Sequence, residues 1–81
     1  MAKQILERES LNEVFQTAPH LIKFPSSRFW VDYDKEADVL YISLHHPQKA
    51  TDSKMLDNGT LLRYRDKKLV GITILDVSKR H

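Results

Sequence analysis

Four carboxylates stand at every second position in Asp32, Asp34, Glu36 and Asp38. Oxygen donors alternating in this way match the opening ligand positions of a calcium-binding loop. The match ends there. Counting from Asp32, the sixth position is Ala37 where the sharp turn requires glycine, and the twelfth is Ser43 where a bidentate glutamate is needed. The same carboxylates could act as the acid and base of glycoside hydrolysis, but that chemistry needs a cleft that fixes their separation and raises one pKa. The competing reading is structural: Asp34 and Asp38 bond turn amides and hold a hairpin, as aspartates do at turn starts.

Other groups with chemical potential are similarly isolated. His45 and His46 are neighbours, and adjacent strand residues point to opposite faces, so they read as a solvated strand end and not as a ligand pair. His20 and His81 stand alone, and the two glycines, Gly59 and Gly71, form no phosphate-cradling loop. No catalytic residue, metal or cofactor is expected. Arg63 and Arg65 share one side of a strand, with Lys67, Lys68, Lys79 and Arg80 adding charge nearby. A nucleic-acid stacking platform wants aromatics and bases on one exposed face, whereas Tyr64 alternates away from the arginines. Nucleic-acid binding is therefore not the expectation; the basic residues are read as partners of Asp and Glu on neighbouring strands.

The elements that must position these residues follow from periodicity. Ser10-Leu11-Asn12-Glu13 has the form of a capping box, which predicts a helix beginning near Leu11. Leu11, Val14, Phe15 and Ala18 recur at i, i+3, i+4 and i+7 as one apolar stripe, and Pro19 is expected to end or redirect the helix. Residues 3–9 offer only Ile5 and Leu6 as anchors for an earlier turn, with fraying expected at Met1 and Ala2. Residues 20–27 read as a connector bracketed by Pro19 and Pro25. Phe29, Val31 and Tyr33 then alternate with Trp30, Asp32 and Asp34, and Leu40, Ile42 and Leu44 with Val39, Tyr41 and Ser43, the period of strands. The polar run Asp34–Asp38 joins them as a hairpin. Residues 60–64 and 69–75 form a second pair about the turn Arg65-Asp66-Lys67-Lys68. Between the pairs lies a polar link with room for a short edge strand, closed by Asp57-Asn58-Gly59. The expectation is one α+β domain over 1–81: a helical extension and connector over 1–24, packed on an antiparallel meander of about four strands, two hairpins, over 29–78.

The segment Tyr33-Asp34-Lys35-Glu36-Ala37-Asp38-Val39-Leu40-Tyr41-Ile42, with Leu69-Val70-Gly71-Ile72-Thr73-Ile74-Leu75 and the Asn58-Gly59 turn, resembles the small prokaryotic family called domain of unknown function 2283. The resemblance covers about residues 30–78 and leaves the helical segment before Trp30 outside. It implies the fold, and structural roles for the motif positions Tyr33, Asp34, Glu36, Asp38, Tyr41 and Gly71. It implies no activity, although some similar proteins look like partners in two-gene toxin and antitoxin modules.

Composition bounds what remains. A chain of 81 residues holds one core and buries only roughly 60% of its unfolded surface, and with no cysteine no disulfide staples it. Absence of cysteine fits a reducing cytoplasm. The net charge of +2 comes from 13 basic and 11 acidic residues interspersed along the chain, which implies no single-sign field. The charged N-terminal residues lack the apolar run of a secretory signal, and no apolar stretch approaches the roughly 20 residues of a membrane span. Val70, Ile72 and Ile74 with Leu40, Ile42 and Leu44 make one apolar sheet face, and Leu69, Leu75, Val39, Tyr41 and Trp30 make the other partly apolar. One helix covers about one face. The surplus predicts a homodimer, with Leu11, Val14, Phe15 and Trp30 as candidate interface residues. The function expected is a non-enzymatic module for self-association or binding of a protein partner. The alternatives are an antitoxin-like or nucleic-acid-binding regulator, and an enzyme whose site forms at a subunit boundary.

Overall fold

The computed structural model describes residues 2–80, with side chains from residue 8 onward. Helix α1 runs Ala2–Leu21 and is followed by strands β1 (Trp30–Asp34), β2 (Val39–Ser43), β3 (Asp52–Met55), β4 (Thr60–Arg65) and β5 (Lys68–Leu75), then a 3-10 turn at Val77–Lys79. The five strands form one antiparallel sheet in the order β1-β2-β5-β4-β3. The architecture is α+β, with five strands where four are legible from periodicity. The fifth is β3, whose Asp-Ser-Lys-Met sequence is wholly exposed. A short, polar strand with a lysine suits a sheet edge, because it discourages pairing with another chain.

The order is also not a simple meander. β1 and β2 form the first hairpin, β3, β4 and β5 form a second unit, and β5 inserts beside β2, so the β2–β3 link crosses to the far edge. The link carries a cis His46–Pro47 peptide. The β3–β4 turn uses Gly59 at φ 80°, and Asn58 Oδ1 accepts the Thr60 amide at 3.1 Å. At the β4–β5 turn Asp66 and Lys67 both have positive φ, 51° and 69°, which is the backbone of a two-residue type I′ hairpin built without glycine. Between Arg63 and Tyr64 the register slips by one, leaving Val70 as a bulge residue; its carbonyl accepts the Leu44 amide at 2.9 Å and its side chain is 2% exposed.

Helix α1 differs from the expectation in three ways. It starts well before the Ser10 capping box, because residues upstream continue the helix and already accept the amides that a cap would satisfy. It also contains Pro19 in its last turn, where the lost hydrogen bond costs only the final residues. Most consequentially, α1 does not pack on its own sheet: residues 8–20 are exposed throughout, with Leu11 at 51%, Val14 at 56% and Phe15 at 66%. Of the expected fraying at Met1 and Ala2, Met1 lies outside the described residues and Ala2 is helical, as the first residue of α1; the anchoring by Ile5 and Leu6 lies outside the described side chains. Among the described residues no helix is long and apolar enough to cross a membrane.

The connector between α1 and the sheet is bonded within itself. The Lys23 and Phe24 amides bond to the carbonyls of His20 and Leu21, both at 3.1 Å. Phe24 and Phe29 then contact ring to ring at 4.8 Å, and the Ser26 hydroxyl donates to the Arg28 carbonyl at 2.7 Å. What core there is sits in the sheet, at Val39, Ile42, Leu44 and Val70, and among the described residues no side chain is fully enclosed.

Candidate functional site

Cross-strand register sorts the sheet into two faces, because directly opposed residues share a face and neighbours along a strand alternate. Val31, Tyr33, Leu40, Ile42, Ile72 and Ile74 lie on one face, joined by Leu62 from β4. This face is apolar over β1, β2 and β5, with Thr60 opposite Ile74 and Lys54 opposite Leu62 toward the β3 edge. The other mixes Trp30, Val39, Tyr41 and Leu75 with Asp32, Ser43, Arg63 and Thr73.

The motif positions gather at two places. At the first hairpin, Asp34 Oδ1 accepts the amides of Glu36 and Ala37, each at 3.1 Å, while Glu36 keeps an exposed side chain. Asp38, at φ 56°, turns the chain into β2 and aims its carboxylate elsewhere. The Tyr33 hydroxyl donates to Oδ1 at 2.9 Å, the Ser78 hydroxyl to Oδ2 at 2.7 Å, and the Ser78 amide to both oxygens at 3.1 and 3.3 Å. The Val77 amide completes the contact by donating to the Asp38 carbonyl at 3.1 Å. Donation from the Ser78 hydroxyl is the main reason the Asp38 carboxyl lies below its usual pKa; burial opposes this, and Tyr33, the Ser78 amide and the Lys79 charge reinforce it. Tyr33 is held above its ordinary value, first by donating to Asp38, then by burial and the negative charges of Asp38 and Asp34. A carboxylate whose oxygens already accept four contacts and whose proton affinity is lowered suits a clip and not a general base.

The second gathering is on the mixed face. Gly71 is buried opposite Ser43 on β2 and Arg63 on β4. The Gln48 side chain fills the space a Cβ would take at Gly71 and donates from Nε2 to Ser43 Oγ at 2.9 Å. Beside it Trp30 stacks on His46, ring centroids 4.8 Å apart. Tyr41 stands between Asp32 and Thr73 on the same face and is exposed. The helix residues Leu11, Val14 and Phe15 are not brought to either place.

Sequence spacing missed Ser78 and Gln48, and it marks Arg80 as a partner for carboxylates where the structure gives it backbone carbonyls. Ser78 lies forty residues from the carboxylate it binds, and nothing local marks such a pair. Arg80 closes the C-terminal segment over the β3–β4 turn, donating from Nε to the Leu75 carbonyl at 3.0 Å and from its terminal nitrogen to the Asn58 carbonyl.

For ligand chemistry the geometry is sparse. Asp34 and Asp38 are turned onto protein donors, and among the described residues no three His, Cys, Asp or Glu converge as metal ligands. His45, Arg65, Asp66, Lys68 and Val70 line an open groove of about 430 Å³. Arg63, opposite Gly71 on the mixed face, has its Nε buried without a hydrogen-bond partner among the described residues.

A family model described as protein of unknown function (DUF2283) matches residues 30–78, and the chain belongs to that family. The match begins with β1 and ends at Ser78, so it encloses the whole Asp38 clip and leaves α1 outside. No curated protein and no solved structure matches the chain.

Proposed function

We propose that this member of the domain of unknown function 2283 family is a non-enzymatic, self-associating module that works as a homodimer in the cytoplasm. The observation that carries the reading is surface area. The chain exposes 6889 Å², whereas a compact monomer of 9.5 kDa exposes about 5,000 Å². The surplus of roughly 1,800 Å² by that scaling falls within the about 1,000–2,500 Å² that each partner gives to an obligate interface. Shape agrees: the radius of gyration is 14.7 Å, against about 12 Å for a compact domain of this length.

The exposed area is of the kind that associates. Leu11, Val14 and Phe15 on the helix and Val31 and Tyr33 on the sheet are half or more exposed, and clusters of exposed apolar side chains mark interaction sites. Its chemistry argues against catalysis, since the best-placed carboxylate, Asp38, is committed to four donor contacts. The absence of cysteine fits a reducing compartment. Sedimentation velocity from low to high micromolar concentration tests the reading: a dimer is expected. A persistent monomer contradicts it, and a stable complex with a different protein in place of the dimer assigns the surface to that partner.

A further inference from the structure

The chain carries two apolar surfaces that fit each other and do not meet. One is the stripe of Leu11, Val14, Phe15 and Ala18 on α1; the other is the sheet face on which Val31 and Tyr33 are half exposed and Leu40, Ile72 and Ile74 are half-buried around the buried Ile42. From Leu11 to Leu21 the stripe runs about 15 Å at 1.5 Å per residue. β5 extends about 26 Å across eight residues. A helix about 10 Å wide covers the paired strands β2 and β5, spaced about 4.8 Å apart, together with their flanks. The helix stands clear of its own sheet, with residues 8–20 exposed, and the molecule extends to 49 Å along its longest axis.

We propose that the occupant of the apolar sheet face is α1 of a second copy, delivered by reciprocal helix exchange about a twofold axis. The inference rests on the self-association reading and adds its geometry. Sheet-on-sheet packing leaves the helix stripe in water, and helix-on-helix packing leaves the sheet face in water. Exchange covers both, and twofold symmetry makes each copy donor and acceptor at once, so every helix-on-sheet contact is made twice. That doubling suits a surplus larger than the about 800 Å² per partner of a standard interface. Charge distribution is consistent with it. Glu9, Glu13 and His20 fall on the side of α1 opposite the stripe and stay in solvent when the stripe is covered.

Because the full chain contains no cysteine, the arrangement can be read by directed disulfides. Two full-length variants, Val14→Cys and Ile72→Cys, carrying tags of different mass, are mixed, unfolded, refolded together and oxidised. Exchange predicts that the disulfide joins a Val14→Cys chain to an Ile72→Cys chain, at least tenfold in excess over either homodisulfide. Dominant Val14→Cys homodisulfides, dominant Ile72→Cys homodisulfides, or no cross-chain disulfide in a protein that sediments as a dimer each overturn the exchange while leaving self-association standing. A monomer by sedimentation removes both. Circular dichroism checks each variant's fold, and Leu11→Cys with Leu40→Cys replaces a pair that does not fold.

Discussion

At Asp38 one carboxylate ties the first hairpin to a segment forty residues further along the chain, through Tyr33 on one side and Ser78 on the other. The clip makes stability depend on pH in two opposite ways. Asp38 has a lower pKa folded than unfolded, so between the two values the unfolded chain binds more protons and acid favours unfolding. Its contribution is complete above about pH 4 and is lost as pH falls through the folded value. Thermal melts from pH 6 to pH 2.5 should show this fall, and Asp38→Asn should melt lower at neutral pH with a shallower acid limb; an unaltered acid limb contradicts the clip. Tyr33 has the reverse sign. Its pKa is higher folded, the unfolded chain loses the proton first, and the contribution present below about pH 10 is lost as pH rises through the folded value. Tyr33→Phe should flatten the alkaline limb. At Gly71 the effect is steric: a Cβ there displaces Gln48 from Ser43, so Gly71→Ala should cost about 1 kcal/mol, the worth of one hydrogen bond. In a Gln48→Ala background that cost should shrink toward zero by denaturant melts, as a double-mutant cycle measures. Asp34 bonds turn amides, as its place in the polar run suggests, because an Asx turn is a local interaction. The Asp38–Ser78 and Gly71–Gln48 pairings were illegible because each depends on how the chain folds back on itself.

Among the elements, the strands of both hairpins were readable from alternation because antiparallel pairing imposes period two wherever one face is buried. β3 was legible only as room for a short edge strand in the polar link, since an exposed edge strand has no buried face to pattern it. The stripe marks the helix but not the surface that covers it: amphipathicity says that a face must be covered, not which chain covers it. Two substitutions test element-level claims. Lys67 adopts a left-handed backbone at φ 69°, which costs a side-chain-bearing residue about 1 kcal/mol. Lys67→Gly should therefore raise the melting temperature by several degrees, and a fall would show that the turn is not strained there. Leu11→Asp with Phe15→Asp places two charges on the stripe and should weaken dimerisation by at least about 3 kcal/mol, on the order of a hundredfold in dissociation constant. Strand signal by circular dichroism should persist at concentrations where association is lost. Loss of all structure at every concentration would mean instead that the helix seals its own subunit.

For the whole molecule, the deciding quantity is the surface left uncovered. An 81-residue chain without disulfides has little stability to spare, and here the helix stripe and the Val31 and Tyr33 side of the apolar sheet face remain exposed. The surplus was partly legible, because strands apolar on both sides outnumber what one helix can cover. Its size was not, since it depends on α1 standing clear of the sheet, with residues 8–20 exposed. Sedimentation equilibrium of the full-length protein measures the consequence directly. The account predicts a mass twice the 9.5 kDa of the chain across the micromolar range; a single species of 9.5 kDa that persists at high micromolar concentration would contradict it.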